Sequence, residues 1–100
     1  MNQSQFIALI AERDALRYTP AGMPIVNAVL QHRSQQMEAG IARLCEFEIS
    51  AVAAGEISGR FSQAPLGGMY QFTGFLNKKS RNSKSLVFHI IDFSLLDTGA

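Results

Sequence analysis

Four stretches rich in β-branched, aliphatic and aromatic residues, 25–33, 41–49, 69–76 and 86–96, do not alternate with helical segments. Without helix–strand alternation a parallel sheet has no crossovers, so an antiparallel barrel or sandwich is expected. The punctuation between them agrees. Thr19-Pro20-Ala21-Gly22-Met23-Pro24 is a strong turn, because two prolines fix φ and Gly22 permits a positive φ. Ser34 to Gly40 is polar and reads as a hairpin loop ended by Gly40. Residues 51–68 hold four glycines and Pro65 and read as a long connection with room for a short helical turn. Asn77 to Ser85 is polar throughout, and Asp97–Ala100 is a short polar tail.

Within the stretches the side-chain period is two. Ile41, Cys45, Phe47 and Ile49 share one face, and Ala42, Glu46 and Glu48 the other, with Arg43 and Leu44 interrupting. Gly74 falls inside a strand, where a small barrel bends. Residues 5–17 are ambiguous. Ala, Leu, Glu and Arg favour helix there, whereas Phe6, Ile7, Leu9 and Ile10 suit a doubly buried strand. Four strands and this fifth candidate, with the long connection after the third, give an all-β fold: a five-stranded OB-fold Greek-key barrel with a long connection between strands 3 and 4, filling residues 1–100 as one domain.

A chain of 100 residues buries a modest fraction of its surface, so dimerisation is a natural gain. Its single cysteine, Cys45, allows no internal disulfide or zinc cluster and points to a reducing compartment. No stretch approaches the ~20 apolar residues of a membrane helix. Met1-Asn2-Gln3-Ser4-Gln5 lacks a basic flank, so the expected location is cytoplasmic. The net charge is only +1, which makes any nucleic-acid argument one of charge placement.

That placement is uneven. Lys78, Lys79, Arg81 and Lys84, four of the nine basic residues, fall in the loop before the last strand with no acid between them. In an OB-fold this loop contacts oligonucleotides, and flexible cations track phosphates without reading sequence. The plainer alternative is a solvated hairpin tip. Arg13, Arg17, Arg33 and Arg43 are isolated; Arg17 and Arg33 extend a positive track if the second strand and the turn before it share the loop's groove. Single strands are held by stacking bases on rings. Phe6, Phe72, Phe75, Phe88 and Phe93 lie in apolar strands and read as core, as does Phe47, while Tyr18, beside Arg17 in a turn, is the better stacking candidate and Tyr70 is open. Glu46 and Glu48 share a strand face and more readily form a solvated or interface face than an acid–base pair. His32 and His89 have no ligand-spaced partner, and no nucleophile triad, phosphate loop or Cys-x-x-Cys occurs. No enzyme, cofactor or metal is expected.

Thr19-Pro20-Ala21-Gly22-Met23-Pro24, Leu30-Gln31-His32-Arg33-Ser34, Glu38-Ala39-Gly40, Gly74-Phe75-Leu76 before a lysine-rich loop, and the closing Leu95-Leu96-Asp97-Thr98-Gly99 together resemble the primosomal replication protein N (PriB) family. The resemblance spans nearly the whole chain and makes residues 5–11 the first strand. It implies a homodimeric OB-fold that binds single-stranded DNA during restart of stalled replication forks, acts with the helicase PriA and in some bacteria with DnaT, and has no catalytic residues. It matches Arg17 and Arg33 to basic positions of the family, and Lys78, Lys79, Arg81 and Lys84 to its lysine-rich DNA-binding loop, here about two residues shorter; with Tyr18 these are the expected DNA-binding residues. It also puts Ile41 and Glu46 where the family's model member has stacking rings. Two lost rings at ~1–3 kcal/mol each and an added carboxylate imply DNA affinity at least about tenfold weaker. A DNA-independent protein-interaction OB module, acting as a helicase adaptor, is the alternative.

Overall fold

The ambiguous N-terminal segment is a strand. A computed structural model describes residues 1–96, so the tail Asp97–Ala100 and the end of the closing motif lie outside the described residues. β1 is Ser4–Arg13, β2 the two-residue Arg17–Tyr18, β3 Pro24–Glu38, β4 Ile41–Ala54, α1 Glu56–Gln63, β5 Met69–Lys78 and β6 Leu86–Leu95. The sheet runs β1-β5-β6-β4-β3-β2, and a further β1–β3 pairing closes it into the expected five-stranded barrel, with β2 hung on its edge. All pairs are antiparallel except β4–β6, where Ser50–Ala53 run alongside Val87–Ile90.

β1 closes the barrel by changing partners. Residues 4–9 pair with β5 and residues 9–13 with β3, across a register shift between Ile10 and Glu12. A bulge of this kind bends the strand and raises its twist. Pairing with β3 overrides the local helix propensity of residues 11–13. Beyond Leu9 the gap to β3 is bridged by a side chain. His32 Nδ1 donates to the Ile7 carbonyl (2.6 Å), leaving Nε2 to accept from the Ser34 hydroxyl (2.7 Å). The His32 ring stacks on Phe47 and meets Phe6 edge-on. Phe47 therefore faces inward, at one mouth of the barrel.

Ser34–Gly40 is not a loop. β3 and β4 stay paired out to Glu38 and Ile41, and only Ala39 and Gly40 turn, with φ of 52° and 76°. Positive φ at both positions is the two-residue turn whose twist matches a hairpin. The polarity of Ser34–Glu38 marks a ribbon that stands clear of the barrel with both faces in water. Similarly, β4 runs on to Ala54, and the long connection shrinks to α1 and its flanks.

The core lines the inward positions. Phe72, Phe88 and Phe93 meet small residues such as Ala28, Ala51 and Ala53, and α1 adds a fully buried Phe61 against Phe72 and Phe93. Tyr70 is core too, its hydroxyl donating to the Pro65 carbonyl at 2.7 Å. Arg13 is structural: Nη1 donates to the Phe61 and Ala64 carbonyls (3.0 and 2.6 Å), capping the C-terminal end of α1. Arg60 of α1 lies over the Phe93 ring and donates to Asp92. That bond, with the Phe93 backbone N–H, holds the Asp92 carboxyl below its ordinary value. Phe75 departs from expectation. Positions 70, 72, 74 and 76 of β5 turn inward, which puts Phe75 on the outer face. Among the described residues no helix is long and apolar enough to cross a membrane.

Candidate nucleic-acid interface

The outer faces of β3, β4 and β6 are continuous, and two rows of laterally paired residues cross them. One row runs Glu12, Val29, Ser50, Val87, Asn77. The other runs Asn27, Val52, His89, Phe75, with Asp14 tied to its first member by a backbone bond to the Asn27 carbonyl at 2.9 Å. These rows, apart from Phe75 at the end of the second, line an open hollow of about 560 Å³. Arg17 stands at one rim and Lys78 and Lys79 at another. Segments from opposite ends of the sequence thus bring three cations to one groove with half-buried valines at its base.

The remaining expected residues do not line this hollow. Arg81 and Lys84 are exposed in the loop beyond Lys79. That loop is a compact hairpin: the Lys79 N–H donates to the Ser85 carbonyl (2.9 Å) and Lys78 Nζ to the Arg81 carbonyl (3.1 Å). Tyr18 is 67% exposed beside Pro24 and does not line the hollow. Arg33 shares the outward face of Asn27 and Val29 further along β3. It stands opposite Glu46, with Nε 4.0 Å from the carboxylate, so part of its charge is already answered.

Two features of the groove oppose a polyanion. Glu12 and Asp14 line the hollow itself, setting two carboxylates against its three cations. Glu46 and Glu48 continue the outward face of Ser50 along the ribbon. Glu46 occupies the position where the resemblance leads one to expect a ring. Ile41, the other such position, sits at the ribbon's end on the opposite face, by the alternation of β4.

Sequence reasoning missed the floor. Val29 reads as strand and His89 as a histidine with no ligand-spaced partner, while Val52 falls in the stretch read as a connection and is placed in β4 by the structure; the signal that finds them is parity once the inward set is known. Among the described residues no three His, Cys, Asp or Glu side chains group to hold a metal.

The model of a family described as another single-strand binding protein family matches residues 2–92. A replication restart protein PriB from Nitrosomonas europaea is 39% identical over 98 residues, covering 96% of this chain and 91% of that one. The PriB of Bordetella pertussis is 38% identical over 90 residues, or 90% and 84% of the two chains. A solved structure of PriB from Ralstonia solanacearum superposes with a TM-score of 0.86 at 40% identity, over 97% of this chain and 99% of that one. The single-stranded DNA binding protein from Thermus aquaticus, at 18% identity and a TM-score of 0.76, shares the fold over 99% of this chain and 52% of that one.

Proposed function

This chain belongs to the replication restart protein PriB family of single-strand binding proteins, and on that footing we propose that its outer hollow is a single-stranded DNA groove used in replication restart. The observation that carries the assignment is the convergence of Arg17, Lys78 and Lys79 on one groove with an apolar floor. Phosphates run along the cationic rims while bases face the valines. Arg81 and Lys84 lengthen the cationic side, and Arg33 and Tyr18 extend it beyond the hollow. The contacts are mostly electrostatic, and the affinity is low for the family, because Glu12, Asp14 and Glu46 act against phosphate.

The same reading places the protein in the cytoplasm as a homodimer that binds single-stranded DNA and stimulates the helicase PriA, with DnaT a partner in some bacteria. Support for a second copy lies at β1, where the backbone of Ser4–Ala8 ladders only with β5, the other edge meeting β3 through the His32 side chain at the Ile7 carbonyl, and where the Ile7 side chain is exposed. An alternative, a DNA-independent helicase adaptor, draws on the three carboxylates.

The triple substitution Lys78→Ala, Lys79→Ala, Lys84→Ala tests the two. It is expected to weaken oligo-dT binding about tenfold at 0.1 M salt with the thermal melt unchanged, and to reduce PriA stimulation in parallel. Intact stimulation alongside lost DNA binding would establish the adaptor.

A further inference from the structure

We propose that Phe75 and His89 form the base-stacking platform of the groove, in place of the ring missing at Glu46; this rests on the single-strand reading above. The two are direct cross-strand partners on β5 and β6, with ring centroids 4.7 Å apart and planes 1° from parallel. Both rings are partly exposed, and neither belongs to the core cluster. The other phenylalanines of the strands, Phe6, Phe47, Phe72, Phe88 and Phe93, take inward positions, so this is the stacked ring pair on the outward face among the described residues.

Its position suits the task. His89 lines the hollow and continues the row Asn27–Val52 across the floor, and Phe75, its cross-strand partner, lies just outside the hollow's lining. Phe75 lies two residues before Asn77 on the same face, about 7 Å along the strand, and Lys78 and Lys79 follow immediately. A backbone gripped by those lysines has its bases directed over the ring pair. Every base has a π-face, so such a platform is tolerant of sequence, and it supplies the non-electrostatic part of binding that cations cannot.

The test compares binding of oligo-dT with binding of an abasic oligonucleotide of equal length, by anisotropy across salt, using wild type, Phe75→Leu and Phe75→Tyr. Wild type is expected to prefer oligo-dT, Phe75→Leu to lose about fivefold or more of that preference without a change in salt slope, and Phe75→Tyr to retain it. An undiminished preference in Phe75→Leu overturns the platform while leaving the DNA groove standing. Failure of wild type to bind at any salt overturns both. A His89→Trp variant reads the contact without removing Phe75: fluorescence quenching on adding oligo-dT supports stacking, and binding with no quenching overturns it.

Discussion

Gly74→Ala is expected to destabilise the fold by about 3 kcal/mol or more, at the upper end of the range for overpacking. Gly74 faces inward on β5, and a Cβ there would lie 1.9 Å from the His89 carbonyl oxygen and 2.8 Å from the Phe88 ring. The carbonyl belongs to β6, which is paired with β5 on one side and β4 on the other, so neither backbone can retreat without breaking a ladder. At roughly 4–8 °C per kcal/mol for a domain of this size, Tm falls by about 12 °C or more. Gly59→Ala is the internal control. It lies within α1 with nothing within 4 Å of its Cβ, and alanine there is expected to be neutral or stabilising by up to ~1 kcal/mol. Thermal melts followed by circular dichroism decide it; equal melting temperatures for the two variants would show that β5 and β6 are not packed as described.

Glu46→Trp is expected to tighten oligo-dT binding by about fivefold or more, a bound set by the ~1–3 kcal/mol of one stacked base. The residue projects from the same face of β4 as Ser50, toward the groove's extension along the ribbon. Substitution does two things at once: it installs a ring where a carboxylate repels phosphate, and it releases Arg33 from its 4.0 Å pairing. A freed Arg33 adds about one phosphate contact, steepening the log–log salt dependence by about 0.7. Stability should change little, since the Arg33–Glu46 pair is exposed on both sides and such pairs contribute ~0–1 kcal/mol. Glu46→Gln, which removes charge without adding a ring, divides the gain between the two causes. Unchanged affinity in Glu46→Trp would place the ribbon off the DNA path.

The barrel was legible because its signals are local. Prolines and glycine fix the turn at 19–24, and Gly74 marks the tight bend of β5. Less legible was anything decided by pairing. Residues 11–13 have helical propensity and are strand because β3 lies alongside. Ser34–Glu38 are polar and are strand because Ile41–Cys45 pair with them in water. Phe75 is apolar and faces outward because Gly74 must face inward, a constraint visible only once β6 is in place. The site divides the same way. The cluster Lys78, Lys79, Arg81 and Lys84 stands out in one dimension, but its conjunction with Arg17, and the presence of Glu12 and Asp14 in the same hollow, depend on how β1 crosses to β3. Arg13 shows the limit of counting cations, since its guanidinium is committed to the carbonyls at the end of α1.

If Arg17, Lys78 and Lys79 hold the phosphates of a single strand in the outer hollow, fluorescence anisotropy of a labelled oligo-dT, titrated with the protein across salt concentrations, will register each contact as salt dependence. Three phosphate contacts predict binding at low salt that weakens with a log–log slope of about −2, at about −0.7 per contact. No binding at the lowest salt would rule out the groove as a DNA site, leaving the barrel intact and its role that of a protein-binding adaptor.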